Sequence, residues 1–229
     1  MKSYIITCND ARLTNCLQKN KCLNLDSIII LGPDSKTNKE VQRLSKPFID
    51  NNLGCIVSFA CMIAHLEAIK EFLKTNDELC IIYEDDVRFH KDFLNYIEKI
   101  EKYMLENKHV DVVSLGFVNI PVGNLVLFDN ISIIENTYVG NPFGTQCYMI
   151  RRRHAKQLVD LFLTDNIYSV YQYRFVSDYT IFENNDKLKC NRTTLKFPIV
   201  IEDLSEVSMI GNYNKPDLLQ VVSKNDFMF

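Results

Sequence analysis

Three consecutive carboxylates, Glu84-Asp85-Asp86, directly follow the apolar run Leu79–Tyr83. A short continuous apolar run is typical of a parallel strand that is buried on both faces. Ligands of open α/β sheets bind outside the carboxyl ends of the strands, so this acidic triplet lies where a site would form. Adjacent carboxylates repel one another, and a bound cation or hydrogen-bond donors offset that repulsion.

Oxygen-rich ligation of this kind suits Mg²⁺ or Mn²⁺. Mg²⁺ in particular is commonly held by one or two carboxylates together with substrate phosphates, so a diphosphate substrate would complete the shell. A second interpretation is a solvated turn or the first turn of a following helix, where carboxylates are also favoured. The triplet alone supports both interpretations equally.

Alternating strand and helix patterns position this triplet in the first half of the chain. The β-branched runs Tyr4–Ile6 and Ser27–Leu31 flank a polar stretch with room for a helix, which indicates an opening βαβ unit. Apolar residues at three- and four-residue spacing predict a helix over 58–73. A similar pattern at Phe93, Ile97, Ile100 and Met104 predicts another helix, and Val110–Leu115 predicts another strand. The alternation favours an α/β sheet.

The second half of the chain is more irregular. Strand-like stretches occur at Leu125–Phe128, Ile131–Ile134, Cys147–Ile150 and Leu195–Ile201, with a helix pattern at Ala155, Leu158, Val159 and Phe162. We therefore predict a single α/β domain over residues 1–229. It has a mostly parallel sheet, helices on both faces and some antiparallel strands in the second half.

Composition narrows the class of protein. A chain of 229 residues is long enough for one sizeable core. Its formal charge of -3, with basic residues spread along the chain, argues against a nucleic-acid partner. No apolar run is long enough to span a bilayer, and the amino end carries no secretory signal. The eight cysteines form no CxxC pair, so we expect reduced thiols and a cytoplasmic location.

The segment Ile81–Phe89 resembles the Glu-Asp-Asp motif of glycosyltransferase family 25. Upstream, Ala60–Leu66 is similar to the family's helical Gly-Cys and Ser-His motif, although Ala60 and Ala64 replace its Gly and Ser. Downstream, Gly144–Ile150 is similar to its Gly-Thr and Tyr segment. The match extends, more loosely, to Ser177-Asp178, to 197–208 and to the opening Asn9 and Arg12. The order of these motifs makes the resemblance specific, while the replacements bear on donor and acceptor preference.

The resemblance implies a GT-A (Rossmann-like) domain that uses a nucleotide sugar, often UDP-galactose, on lipopolysaccharide or collagen-type acceptors. The expected reaction is metal-dependent, inverting transfer of a hexose, most simply galactose, to a hydroxyl group of a saccharide, protein or lipid. A metal that bridges the donor phosphates would neutralise charge on the leaving group. We assign Mn²⁺ or Mg²⁺ to Glu84 and Asp86. Asp85 then contacts the donor or orients the metal ligands.

An inverting reaction also needs a base for the acceptor hydroxyl. Asp178 is the first candidate, with Glu202 and Asp203 as second candidates; a helix cap or a surface charge is the alternative role for Asp178. The residues assigned to the donor side, besides Asp85, are Asn9, Arg12, His65, Thr145 and Tyr148. For His65 and Tyr148, core packing is the competing interpretation.

Two other functions fit the same residues. A non-catalytic domain that binds a nucleotide sugar would keep the fold and the metal without transferring the sugar. A metal-dependent phosphoryl-transfer enzyme also uses carboxylate-held metals. The absence of a basic stripe weighs against nucleic-acid substrates for the latter.

Overall fold

The computed structural model describes residues 1–52, 55–117, 121–135, 144–164, 167–168, 177–182, 188–203 and 226–227. The helices are α1 (Asp10–Cys22), α2 (Lys39–Asp50), α3 (Ile56–Leu73), α4 (Phe93–Glu106), α5 (Arg152–Phe162) and α6 (Ser177–Phe182). The strands are β1 (Lys2–Thr7), β2 (Ser27–Leu31), β3 (Leu79–Glu84), β4 (Val87–Phe89), β5 (Val112–Gly116), β6 (Asn124–Phe128), β7 (Ile131–Glu135), β8 (Cys147–Arg151), β9 (Leu163–Thr164), β10 (Ile167–Tyr168), β11 (Arg192–Leu195) and β12 (Val200–Glu202).

Ten of these strands form one sheet, whose main path runs β2-β1-β3-β8-β5-β11-β7-β6. Strands β2, β1 and β3 are parallel, β8 runs antiparallel between β3 and β5, and β11 is parallel to β5. Strands β7 and β6 add antiparallel pairs at the far edge, while β12 joins β5 to β4. The predicted α/β class, with antiparallel strands in the second half, is confirmed.

Helices cover both faces of the sheet, and strand β3 shows how the faces are divided. Its residues Cys80 and Ile82 belong to the core cluster on the side of α2, α3, α5 and α6. Ile81 and Tyr83 belong to the opposite cluster, which includes residues of α1 and α4. This alternation is the period of two that a pleated strand imposes.

Helix α3 is the central helix of the first face. Its apolar residues extend around most of its circumference, as is typical of a helix buried on several sides. It packs against β1, α2, α5 and α6, and Cys55 caps its amino end by accepting a hydrogen bond from the Ser58 backbone. A helix held on so many sides is a rigid support for side chains at the sheet edge. No helix within the described residues is long and apolar enough to cross a membrane.

The stretch Leu195–Ile201, which we expected to be one strand, forms parts of two strands instead. Strand β11 ends at Leu195 and β12 begins at Val200. Pro198 lies between them and has no backbone N–H to donate to a ladder, so pairing is interrupted there. The break lets β12 pair with β4, directly after the acidic triplet.

Two arginines at the β8–α5 junction, Arg151 and Arg152, make structural contacts. Arg151 is buried and donates to the backbone carbonyls of Val110 and Met104. Arg152 donates to the Leu73 carbonyl at the carboxyl end of α3 and lies against the Phe72 ring. These hydrogen bonds join the ends of α3, α4 and β8 at the edge opposite the acidic triplet.

Candidate active site

The candidate site lies where β1, β2 and β3 end together. Thr7 is the last residue of β1, and its carbonyl accepts a hydrogen bond of 2.7 Å from the backbone of Gly32, just beyond β2. Its hydroxyl donates to Asp85, just beyond β3. Three neighbouring parallel strands therefore end at the acidic triplet; the sequence predicted one of these strand ends, that of β3.

Glu84 points toward α3, on the same face as Cys80 and Ile82. His65 Nε2 lies 3.5 Å from Glu84 Oε1, and the Thr145 hydroxyl donates to the same oxygen over 3.1 Å. Burial alone would raise the pKa of Glu84, but its contacts with His65 and Thr145 hold that pKa below its usual value. Glu84 is therefore held by α3 and by the segment that precedes β8.

Asp85 and Asp86 turn toward α1. Arg12 Nη1 lies 3.1 Å from Asp86 Oδ2 and 3.6 Å from Asp85 Oδ1, and all three side chains are buried. Asn9 positions this arginine, because its side chain accepts hydrogen bonds from the backbone N–H groups of Ala11 and Arg12 at the start of α1. Asn9 thus caps α1 and Arg12 is a counter-ion to two carboxylates, while the assignment of both residues to the donor stays a prediction.

Asp86 has one carboxylate oxygen to spare. Its Oδ1 is buried and has no hydrogen-bond partner among the described residues. Burial and the nearby charge of Glu84 raise the pKa of Asp86 to about 7, despite the opposing charge of Arg12. A buried carboxylate oxygen without a partner, close to a second carboxylate, fits a hard divalent cation.

Asp178 lies in the first turn of α6, near Glu84. Its Oδ1 accepts a hydrogen bond of 2.7 Å from the Gly144 backbone. Burial raises the pKa of Asp178, the charge of Glu84 adds to the effect, and Arg192 opposes it. A carboxylate with a raised pKa that accepts a single backbone hydrogen bond on one oxygen has the chemistry of a general base.

Asp203 is engaged on both oxygens. Lys19 donates to Oδ2 over 2.8 Å, and Arg88 lies 2.7 Å from Oδ1. Its backbone N–H donates to the Asp86 carbonyl, so Asp203 also braces the acidic triplet. Glu202, on β12, pairs with Val87 in the ladder, and its charge contributes to the raised pKa of Asp86.

Comparison with known proteins assigns the family. The sequence model of glycosyltransferase family 25, described as an LPS biosynthesis protein, matches residues 1–173. The chain belongs to glycosyltransferase family 25. No curated protein sequence matches the chain.

Three solved structures are similar to this glycosyltransferase in outline. One is a glycosyltransferase involved in glycosylation of the major capsid of PBCV-1, with 10% identity, coverage of 90% of this chain and 95% of that chain, and a TM-score of 0.42. A protein from STIV has 14% identity, coverage of 93% and 100%, and a TM-score of 0.44. A 4-diphosphocytidyl-2C-methyl-D-erythritol synthase from Anaerococcus prevotii has 13% identity, coverage of 92% and 93%, and a TM-score of 0.38.

Behind Glu84, this family 25 glycosyltransferase has a second layer of polar side chains. His65 and Tyr148 are both fully buried, and His65 Nδ1 lies 3.1 Å from the Tyr148 hydroxyl. The Thr145 hydroxyl, besides its contact with Glu84, lies 2.7 Å from the Ser177 hydroxyl. His65 and Tyr148 therefore support Glu84 from behind. Their assignment to the donor stays a prediction, with core packing the role that their burial favours.

Sequence reasoning missed three residues of this glycosyltransferase site. Thr7 ends a strand next to β3, so the strand-end argument used for the triplet would also have found it. Ser177 stands directly before Asp178 in a motif already singled out. Cys61 precedes His65 by four residues on α3, a spacing that places both on one helix face. Residues 204–208 of the closing motif lie outside the described residues.

Proposed function

We propose that this protein transfers a hexose, most simply galactose, from a UDP-sugar to a hydroxyl group of a saccharide or a hydroxylated protein or lipid. The transfer inverts the anomeric configuration and depends on Mn²⁺ or Mg²⁺. Family membership supports the transferase class, and the family's link to LPS biosynthesis favours a saccharide acceptor. The observation that carries the metal requirement is the buried, unpartnered Oδ1 of Asp86 beside Glu84.

Glu84 and Asp86 would hold the cation, which would neutralise charge on the donor diphosphate. The positive charge of Arg12 reduces the electrostatic repulsion between Asp85 and Asp86. The hydrogen bond from the Thr7 hydroxyl fixes the position of the Asp85 carboxylate. Asp85 then faces the donor as a hydrogen-bond acceptor, or orients its neighbours.

Asp178 is the proposed base. The acceptor oxygen attacks the anomeric carbon, and the bond from that carbon to the phosphate oxygen breaks. UDP leaves with the bonding electron pair, and the hydroxyl proton moves to Asp178. The Gly144 N–H holds one carboxylate oxygen, so the other is the one that takes the proton. Both oxygens of Asp203 are engaged, which favours Asp178 over it.

The direct test is release of free UDP from UDP-galactose, UDP-glucose and UDP-N-acetylglucosamine, measured without acceptor, first with Mn²⁺ and then with excess EDTA. We expect release from one donor, abolished by EDTA. Donor binding without release under any condition would support the non-catalytic alternative instead. Loss of both binding and release would contradict a donor site.

Replacing Asp86 with alanine tests the metal assignment. We expect transfer to be abolished while the fold is kept, because Asp86→Ala removes a ligand at the sheet edge and leaves Arg12 its partner Asp85. Circular dichroism and UDP release measure the two properties. Asp160→Ala, at an exposed carboxylate paired with Lys156 on α5, is the matched control and should retain full activity. Unchanged turnover in Asp86→Ala would overturn the assignment.

A further inference from the structure

A second potential metal site lies immediately behind Glu84, on its α3 side. We propose that Cys61, His65 and Glu84 form a binding site for a thiophilic divalent ion, with Zn²⁺ as its natural occupant. The Cys61 sulfur, one His65 ring nitrogen and one Glu84 oxygen all lie within 4.8 Å of one another. In the part of the chain that the structure describes, this is the one group of three or more possible ligands that meets this condition. We call it the thiolate site.

The two helical ligands have the spacing that a metal requires. Cys61 and His65 are four residues apart on α3, so their side chains project from the same helix face, one turn apart. Glu84 is brought opposite them because β3 ends there and its alternation sends this side chain toward α3. Two rigid elements therefore supply the three ligands, without a contribution from a loop.

The buried Nε2 atom of His65 is a second, independent observation in favour of a bound metal ion. This Nε2 is fully buried and makes no hydrogen bond to the described residues; the contact that it does make is with Glu84 Oε1, at an ion-pair distance. The 3.5 Å separation from Glu84 Oε1 is longer than the roughly 3 Å typical of a hydrogen bond. A buried polar atom without a partner is costly, and a metal ion would remove that cost.

The hydrogen bond between His65 and Tyr148 orients the His65 ring in the way that metal-bound histidines are oriented. When Nδ1 carries the proton, it donates to the Tyr148 hydroxyl at 3.1 Å and leaves the Nε2 lone pair facing Cys61 and Glu84. Histidine ligands of metals usually donate their other ring N–H in this way. The hydroxyl of Thr145 donates to Glu84, and Ser177 hydrogen-bonds the Cys61 thiol. Each of the three ligands therefore has a supporting contact.

The thiolate site has a coordination position to spare. Cys61 and Glu84 are partly exposed, whereas His65 forms the buried floor. Three protein ligands of the sulfur, nitrogen and oxygen types leave one tetrahedral position for water. Thiolate and imidazole favour Zn²⁺ or Co²⁺ over Mg²⁺ or Mn²⁺. The thiolate site thus differs in metal preference from the oxygen ligands around Asp86.

Cobalt absorption tests the proposal on the whole protein, because Co²⁺ replaces Zn²⁺ and gives a charge-transfer band only when a thiolate binds it. We expect a band that saturates at one Co²⁺ per chain and is displaced by Zn²⁺. The band is lost in Cys61→Ser and kept in Cys22→Ser, a matched control at an exposed cysteine of α1. Tyr148→Phe should weaken the affinity about 10- to 100-fold.

Absence of the band in the wild type, or a band that survives Cys61→Ser, would overturn the thiolate site. X-ray absorption of the zinc-loaded wild type needs no variant and covers the case in which Cys61→Ser fails to fold. It should show one sulfur at about 2.3 Å with nitrogen or oxygen neighbours at about 2.0–2.1 Å. A shell of oxygen and nitrogen alone would contradict the proposal.

Occupancy of the thiolate site has a consequence for transfer, which rests on the proposed function. Glu84 serves both sites, so a Zn²⁺ ion held by Cys61 and His65 competes for it with the donor's cation. We expect Zn²⁺ to inhibit Mn²⁺-dependent UDP release, with the inhibition weakened in Cys61→Ser. Because the cobalt measurement needs no donor, failure of the transfer proposal and failure of the thiolate site are distinguishable.

Discussion

At the residue scale, Asp178 offers the sharpest test of the mechanism. Asp178→Asn keeps an oxygen that accepts the Gly144 N–H but can no longer take a proton. We expect kcat to fall about 10²- to 10⁴-fold, the usual contribution of a general base, with little change in donor KM. Initial rates of transfer over a range of donor concentrations measure both parameters.

Asp203→Asn is the matched comparison for Asp178→Asn. Its carboxylate is paired with Lys19 and Arg88, so we expect its loss to lower the free energy of unfolding and to disturb the acidic triplet. A larger fall in kcat in Asp203→Asn than in Asp178→Asn, with the free energy of unfolding unchanged in both variants, would move the base to Asp203.

Much of the site at this scale followed from the sequence. Because β3 ends at the three carboxylates, their position at the sheet edge follows from the local sequence alone. Their divergence, with Glu84 toward α3 and Asp86 toward Arg12, depends on which neighbours the fold brings in. Those neighbours come from α1, α3 and the segment that precedes β8, which are distant in sequence, so short-range sequence patterns do not predict them.

At the scale of elements, the contact between Gly32 and α3 sets the distance between this helix and the sheet. A Cβ at Gly32 would lie 2.9 Å from the Ala64 Cβ and 3.4 Å from the Thr7 carbonyl oxygen. Gly32→Ala therefore pushes α3 away from the site. We expect about 1–3 kcal/mol of destabilisation, the typical cost of overpacking, measured by urea unfolding.

A double-mutant cycle checks this explanation. Ala64→Gly removes the opposing methyl group, so the cost of Gly32→Ala should shrink in the Ala64→Gly background. An equal cost in both backgrounds would show that the two positions do not interact.

The sequence predicted helices correctly where the apolar pattern repeats over several turns, and strands where a continuous apolar run is buried. The 18 residues of α3 repeat apolar side chains over several turns, and β3 is apolar throughout. Strand β4, with three residues, is too short for a period of two to be seen. In α2, Pro47 lies inside the helix and weakens the helical pattern, since proline removes a backbone donor.

At the scale of the whole molecule, His154 links stability to pH. It is fully buried on α5, and its Nε2 lies 2.8 Å from the Ile181 carbonyl of α6. Burial lowers the pKa of His154 below its usual value of 6.5. The unfolded chain then binds a proton more readily than the folded one, so stability falls as pH drops below 6.5 toward the lowered folded pKa.

His154→Gln isolates this contribution, since glutamine keeps a donor for the Ile181 carbonyl but does not titrate. We expect the wild type to lose more unfolding free energy than the variant between pH 7.5 and about 5.5, by urea unfolding. The comparison is needed because the raised pKa values of Asp86 and Asp178 change stability in the opposite direction. Parallel pH profiles of the two proteins would contradict the assignment.

The sequence predicted the α/β class of the whole molecule but not its strand order. Alternation of strand and helix follows from local patterns, whereas the insertion of β8 between β3 and β5 is decided by long-range packing. The single-domain prediction for residues 1–229 stays a prediction.

The bracing of Asp86 by Asp203 bears on when the protein becomes competent during synthesis. The family match ends at residue 173, yet β11, β12 and Asp203 follow it. Strand β11 fills the sheet beside β5, and the Asp203 backbone holds the carbonyl of Asp86. A nascent chain on the ribosome therefore has every residue of the acidic triplet long before it has the strand that steadies them. The backbone support of Asp86 is therefore complete only once Asp203 has been synthesised.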